Sequence, residues 1–98
     1  MRKREITRDT VIRRELMTDG SCAYEYELIL RECESARSLR IPLYSIRAIM
    51  TNGEGEKSEA YIRDAFADAG RAILLFDKIV RNLATPIDLA YIHEDEMS

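Results

Sequence analysis

The chain contains no tryptophan, one histidine, two cysteines and two prolines among its 98 residues. A single histidine argues against the multi-histidine sites that hold transition metals, and two cysteines are too few for a disulfide-stabilised scaffold. No apolar run approaches the roughly 18 residues that a membrane-spanning helix needs. The basic start of the chain lacks the apolar stretch of a secretory signal, so we expect a reducing compartment and, by default, the cytoplasm.

Neither sign of charge dominates the sequence. Its 15 Lys and Arg residues against 18 Asp and Glu residues give a formal net charge of −3, which supplies no bulk electrostatic argument for a nucleic-acid partner. The hydrophobic fraction of 46% is ordinary for a globular domain, and the length leaves little room for an enclosed active-site cavity. We expect a single domain over residues 1–98, with a flexible basic arm at 1–9 and an acidic tail at 94–98.

The strongest periodic signal lies in residues 66–83. Apolar residues recur there at alternating steps of four and three, at Ala69, Ile73, Phe76, Val80 and Leu83. This spacing predicts an amphipathic helix of about four turns that packs on another layer. The residues before it form strand-like runs. The predicted fold class is therefore α+β: an antiparallel four-stranded meander sheet with one long amphipathic helix on one face and a short C-terminal helix.

The first two strands are predicted at residues 10–17 and 22–33, because an Asp-Gly step between such runs is a strong hairpin signal. Loop length decides the register. A three-residue loop with Gly20 in the left-handed conformation places Leu16 and Arg14 on the aromatic face, with Arg14 opposite Tyr24. A two-residue loop instead places Glu15 beside Tyr24. We expect the three-residue loop, since it also sets an arginine opposite a glutamate on the outer face.

Two further strands are predicted after a polar connection. Residues 39–51 form the third strand, and the sequence NGEGEK that follows is a turn whose Asn-Gly step predicts a hairpin partner. Residues 58–66 fit either that fourth strand or the start of the helix. We expect a strand and a helix that begins between Asp64 and Asp68, since an acidic residue suits a helix N-terminus.

The C-terminal helix is predicted from a capping pattern. Thr85 suits the N-cap, Pro86 suits the first helical position, and Asp88 completes a box-like start. Leu89 and Ile92 lie three residues apart, which predicts that both face the core.

Together these features resemble a family of small uncharacterised bacterial proteins, domain-of-unknown-function family 6514, which is common in anaerobic Gram-positive bacteria. The resemblance covers roughly residues 10–97 and includes YEYEL, LYSI and the terminal TPIDLAYIHED; its most specific part is Pro86, Leu89, Ile92, Glu94 and Asp95. The chain departs from the pattern at Asp88, where a histidine is usual, and at Ser45, where a glycine is usual. The resemblance implies the same fold and assigns no catalytic residue.

The cysteines are predicted to be free thiols. If Cys22 and Cys33 share one strand, they lie about 36 Å apart, whereas a disulfide needs Cα atoms within about 7 Å. His93 and the neighbouring acidic residues 94–96 are interpreted as a solvated tail rather than a metal site, since no second histidine is present. Tyr24, Tyr26 and Tyr44 are interpreted as core residues rather than as a platform for stacking nucleic-acid bases.

No catalytic signature is present in the sequence. It has no glycine-rich phosphate loop and no nucleophile motif, and the paired carboxylates Glu25 and Glu27 are expected to make ordinary ion pairs. The predictions are therefore no catalytic residue, no cofactor and no metal. The favoured function is a non-enzymatic cytoplasmic interaction or regulatory module with an unknown protein partner and no contact with a membrane.

A possible partner surface is predicted on the outer face of the long helix. Leu74 projects there among the cations Arg71, Lys78 and Arg81. We expect a weak homodimer with Leu74 near its centre, in which the acidic residues 94–96 of a second copy contact the cations. The alternative is a small nucleic-acid-binding protein that uses the basic N-terminal arm and the same helix cations; we regard nucleic acid as the less favoured partner.

Overall fold

The computed structural model describes residues 6–34, 40–89 and 91, and it confirms the α+β fold. Four antiparallel strands form one sheet in the order β1-β2-β3-β4, and a helix lies across one face. The elements are β1 Ile6–Asp19, β2 Cys22–Glu34, β3 Arg40–Thr51, β4 Lys57–Phe66 and α1 Ala69–Arg81. Residues 86–89 and 91 are helical and form the predicted short terminal helix.

The strand β1 begins at Ile6 and so takes in the last four residues of the segment that the sequence assigns to a flexible arm. Its first residues pair with the end of β2, and the Arg31 side chain donates to Asp9 Oδ1 at 3.1 Å. Residues 1–5 of that segment lie outside the described residues, as does the acidic tail 94–98.

The first hairpin differs from the predicted one. Its turn consists of two residues, Gly20 and Ser21, and the pair Asp19 and Cys22 closes it. Gly20 has φ +61°, as predicted, and occupies the first central position, which is the arrangement of a type II′ turn. The three-residue loop is therefore wrong. The alternative two-residue loop, with Asp19 and Gly20 in the turn, puts Glu15 on the correct face of the sheet. It pairs Glu15 with Tyr24 instead of Tyr26, however, so its register is wrong by two residues.

The observed register places Met17 opposite Tyr24 and Glu15 opposite Tyr26, on the face that α1 covers. Leu16 and Arg14 lie on the open face instead of the predicted aromatic face. The covered face tolerates charged residues of β1 because β1 is an edge strand. There Arg13 reaches over to α1, and its Nη1 donates to Asp77 Oδ1 at 2.7 Å.

The second hairpin confirms that residues 58–66 belong to a strand. Thr51 pairs with Lys57, and the turn between them is held by the Asn52 side chain, whose Oδ1 accepts from the backbone N–H groups of Glu54 and Glu56, both at 2.9 Å. Gly55 has φ +85°, a conformation that glycine adopts without strain. The Asn-Gly signal therefore indicated the correct hairpin.

The helix α1 begins where the sequence indicates. Asp68 is its N-cap, and the Asp68 side chain accepts from the Gly70 N–H at 3.0 Å. The predicted stripe, however, is rotated. The residues that α1 buries are Ala72, Leu75, Phe76 and Ile79. Their centre lies about 70° from that of the predicted stripe, at 100° per residue. Ile73 is 37% exposed, so its assignment to the core is wrong, whereas Leu75 is 5% exposed.

The end of α1 is closed by a Schellman motif. The Ala84 N–H donates to the Ile79 carbonyl and the Leu83 N–H to the Val80 carbonyl, both at 3.1 Å, with Leu83 at φ +49°. Beyond it, the predicted capping box is confirmed. Asp88 Oδ2 accepts from the Thr85 N–H at 3.0 Å, and Thr85 Oγ1 accepts from the Asp88 N–H at 3.2 Å.

The core lies between α1 and the covered face of the sheet. Its largest fully buried side chains are Tyr26, Phe76, Leu28, Ile46, Ile79 and Leu89. The predicted core position of Leu89 is confirmed, while Ile92 lies outside the described residues. Tyr24 and Tyr26 are core residues, as predicted, and their rings stack with centroids 6.1 Å apart. Tyr44 packs against the same core.

Candidate interaction surface

The outer face of α1 carries one exposed leucine. Leu74 is 72% exposed, because the helix turns Ala72 and Leu75 toward the sheet and leaves Leu74 on the solvent side. Exposing a leucine has no benefit for folding, since burying such a side chain stabilises a protein by about 1.5–3 kcal/mol. The predicted exposure of Leu74 is therefore confirmed.

A pocket of about 230 Å³ lies beside Leu74. It is lined by Phe66, Arg71, Leu74, Leu75 and Lys78. The buried rings and methyl groups of Phe66 and Leu75 form its apolar floor, and the two cations stand at its rim. This volume suits one apolar side chain of a partner.

Three cations surround Leu74. Arg71, Lys78 and Arg81 are exposed and make no ion pair with any carboxylate in the part of the chain that the structure describes. The Arg71 guanidinium lies 5.7 Å from the centroid of the Phe66 ring, which holds it over the pocket. Arg81 does not line the pocket and extends the positive surface toward the end of α1. We call Leu74, Arg71, Lys78 and Arg81 the Leu74 surface.

The only carboxylate within α1 itself is already engaged. Asp77 accepts from Arg13 at 2.7 Å, and the Arg13 guanidinium also lies 5.0 Å from the centroid of Phe76. The hydrogen bond with Asp77 raises the pKa of Arg13. Asp77 is thus held toward β1, about 100° around α1 from Lys78, and its charge is matched by Arg13 rather than by the Leu74 surface.

The open face of the sheet differs, because its central arginines, Arg14 and Arg47, are paired. The Glu27 carboxylate is nearly buried between two of them: Arg14 donates to Oε2 at 2.7 Å and Arg47 to Oε1 at 3.1 Å. Arg47 also donates to Glu59 at 2.8 Å, and this bond lowers the pKa of Glu59. The predicted ordinary ion pairs of Glu27 are confirmed, with Arg14 as its cross-strand partner.

Most of the other exposed apolar side chains belong to elements other than α1. Val11, Ile12 and Leu16 belong to β1, and Leu16 is 70% exposed. Leu16 borders a shallow groove of about 320 Å³ whose lining includes Ala23, Glu25 and Ile49. Ile87 and Tyr91 are exposed on the terminal helix.

The remaining sequence candidates give no second site among the described residues. Cys22 is a free thiol, and Cys33 lies on the same strand, β2, as predicted. No three His, Cys, Asp or Glu side chains in the described ranges are grouped so that they could hold a metal ion. His93 and residues 94–96 lie outside these ranges. Every buried side-chain nitrogen or oxygen that the structure describes has a hydrogen-bond partner, so none is left over for a ligand.

Sequence reasoning identified the four residues of the Leu74 surface but missed its floor. The predicted stripe leaves out Leu75, and Phe66 ends the segment 58–66 that is expected to form the fourth strand, so neither prediction places these residues beside Leu74. The signal for Leu75 was available, since a buried face that includes Ala72 and Ile79 also includes position 75 at helical spacing. The sequence gives no such signal for Phe66, because Phe66 belongs to β4 and is brought next to the pocket only when β4 and α1 pack together.

Comparison with known proteins identifies a family and nothing more specific. The sequence model of a family of unknown function, DUF6514, matches residues 7–98. Searches of curated proteins and of solved structures found no significant match. Among the described residues no helix is long and apolar enough to cross a membrane.

Proposed function

The chain belongs to the DUF6514 family, whose function is unknown, and we propose that it is a non-enzymatic cytoplasmic interaction module that binds an acidic protein segment at the Leu74 surface. The observation that carries this proposal is the combination of an exposed leucine, an apolar pocket and three cations on one helix face that pair with no carboxylate among the described residues.

The partner's chemistry follows from that combination. Its apolar side chain enters the pocket against Phe66 and Leu75, and its carboxylates approach Arg71, Lys78 and Arg81. Arginine and lysine at the rim of an apolar contact increase the association rate and the specificity more than the affinity. Burial of Leu74 and one partner side chain contributes about 3–6 kcal/mol before the entropic costs of association. The complex is therefore weak and reversible, as suits a regulatory contact.

Nucleic acid is the second candidate, because three cations on one face of a helix also suit a phosphate backbone. The surroundings of these cations favour a protein partner over nucleic acid. An exposed leucine lies in their midst, and Tyr24 and Tyr26, two of the tyrosines that could stack on bases, are buried in the core. The two candidates differ in their salt dependence, which is steep for a phosphate backbone and shallow for a contact centred on an apolar side chain.

An NMR titration of the ¹⁵N-labelled protein separates the two candidates. The probes are an acidic heptapeptide with a central leucine and a single-stranded DNA oligonucleotide of similar charge. We expect the peptide to shift the amide signals of α1 around Leu74, and the change Leu74→Asp to abolish the shifts. The matched control Leu16→Asp alters an equally exposed leucine on the open face of the sheet, and this variant should bind the peptide normally. Binding of DNA alone, with steep salt dependence, would contradict the proposal and support the second candidate.

A further inference from the structure

The strand β1 is an edge of the sheet. It pairs only with β2 among the described residues, and it carries three of the exposed large apolar side chains, Val11, Ile12 and Leu16. An edge strand presents a row of unpaired N–H and C=O groups that another strand can extend. Proline, bulges and charged side chains, lysine above all, usually protect such an edge, and residues 13–19 carry charges of both signs, which can pair with those of a second copy. A bulge interrupts β1 between Val11 and Arg13, but residues 13–19 pair regularly with β2 and contain neither proline nor lysine.

The turn determines which main-chain groups of residues 13–19 are free. Asp19 and Cys22 close a two-residue turn, so they form a hydrogen-bonded pair, and such pairs alternate along an antiparallel ladder. The N–H and C=O groups of Asp19, Met17 and Glu15 therefore point toward β2. Those of Thr18, Leu16 and Arg14 point away from the sheet.

We propose that a second copy of this chain pairs antiparallel with β1 about a two-fold axis at Leu16. The two sheets then form one eight-stranded sheet with both helices on the same face. The proposal is independent of the Leu74 surface, which stays exposed in this dimer. It places the second copy at a different position from the Leu74-centred dimer that the sequence suggests.

The register follows from charge. Residues that lie opposite each other in an antiparallel pair have their side chains on the same face of the sheet. A two-fold axis normal to the sheet therefore passes between one residue and the same residue of the second copy. An axis at Arg13, Arg14 or Glu15 brings identical charges directly together, which is destabilising. An axis at Met17 sets Glu15 opposite Asp19, again with like charge.

An axis at Leu16 avoids every such conflict. It sets Arg13 of each copy opposite Asp19 of the other, Arg14 opposite Thr18, and Leu16 opposite Leu16. Residues 13–19 are also the regular part of β1 between the bulge and the turn, and Leu16 is their midpoint. The outward groups at positions 14, 16 and 18 then face each other and make about six main-chain hydrogen bonds. The most exposed apolar residue of β1 becomes the centre of the contact.

The contact is short, at about 24 Å of strand, so the dimer is weak. Leu16 borders the groove at the hairpin end of the open face, together with Ala23 and Ile49. In the dimer the Leu16 side chain of the second copy lies next to this groove. Its burial there adds apolar contact to the main-chain hydrogen bonds.

Cysteine cross-linking tests the axis directly. In a chain with Cys22→Ser and Cys33→Ser, the change Leu16→Cys puts two thiols on the axis with Cα atoms about 5.5 Å apart, within disulfide range. Mild oxidation should give a covalent dimer. The matched control Thr18→Cys should stay monomeric, because its two copies are about 15 Å apart. Equal cross-linking at both positions, or a dimer formed instead by Leu74→Cys, would overturn the proposal.

Sedimentation of the chain with its native cysteines provides the second measurement. Asp19→Arg sets like charges opposite each other at the Arg13 contact and should weaken dimerisation about tenfold or more. The control Glu54→Arg makes the same change of net charge in the exposed turn of the other hairpin and should leave dimerisation unchanged. Circular dichroism confirms that both variants are folded. A wild-type chain that remains monomeric up to about 1 mM, or equal effects of the two variants, would contradict the proposal.

Discussion

The hydroxyl of Tyr26 connects two parts of the fold that lie far apart in sequence, and its removal should measurably destabilise the protein. Tyr26 is completely buried on β2, and its hydroxyl donates to the backbone carbonyl of Ala84 at 2.8 Å. Ala84 lies just after α1 and is itself buried. This bond therefore holds the end of the helix and the start of the terminal helix against the middle of the sheet.

The change Tyr26→Phe keeps the ring and its stacking on Tyr24 but leaves the Ala84 carbonyl without its donor. A buried acceptor that loses its partner costs about 1–3 kcal/mol, a large share of the roughly 5–15 kcal/mol that stabilises a small domain. Urea unfolding at pH 7 should show this loss. Tyr61→Phe is the matched control, because Tyr61 is exposed on the open face, and its loss should stay within about 0.5 kcal/mol. Equal stability of the two variants would refute the reasoning.

The pH dependence provides a second test of Tyr26. Burial raises the pKa of Tyr26 from its ordinary value of 10.0 to about 12, so folding favours the neutral phenol. The contribution of this group to stability is complete below pH 10 and is lost as the pH rises through the folded pKa, about 12. The wild type should therefore lose more stability than Tyr26→Phe between pH 10 and 12. Burial also raises the pKa of Tyr24, which both proteins retain. Identical slopes in the two proteins would contradict the assignment.

Three further predictions address the rest of the fold. Phe76→Ala should cost about 3–5 kcal/mol in urea unfolding, because the Phe76 side chain is completely buried between α1 and the sheet. A loss below about 1 kcal/mol would show that this face of α1 does not meet the sheet. Gly70→Ala should stabilise the protein by about 0.5–1 kcal/mol in the same assay, because alanine favours the helical conformation. The added methyl group meets only Asp68 Oδ1, at an ordinary contact distance of 3.5 Å. Destabilisation would contradict the helical conformation at Gly70. Alkylation with mass detection under non-reducing conditions should find two free thiols in the monomer, because Cys22 and Cys33 occupy opposite ends of β2. An intramolecular disulfide would contradict the assignment of both cysteines to one strand.

The features that the sequence predicted correctly depend on local chemistry. The alternation in β2, the Asn-Gly step and the capping residues Asp68 and Thr85 each act within a few residues, and each is found in the structure. Leu74 belongs to this group as well, since its exposure follows from helical periodicity alone.

The features that it missed depend on contacts between distant elements. Asp-Gly and Gly-Ser both suit a tight turn, and the choice between them determines which face of β1 is covered. The prediction kept Glu15 away from the aromatic face, but the edge position of β1 lets Arg13 reach Asp77 on α1. The rotation of α1 likewise follows from packing, since the small side chain of Ala72 lets the helix approach the sheet and turns Leu75 inward.

The central claim is that the Leu74 surface binds an acidic protein segment. Its most direct test places a photo-crosslinking amino acid at position 74 in living cells that naturally contain this protein, with position 16 as the equally exposed control on the open face. Mass spectrometry of the cross-linked products should identify, at position 74 and not at position 16, a different protein joined through a segment rich in Asp and Glu around an apolar residue. Cross-links from position 74 to nucleic acid, or the same proteins captured from both positions, would contradict the account.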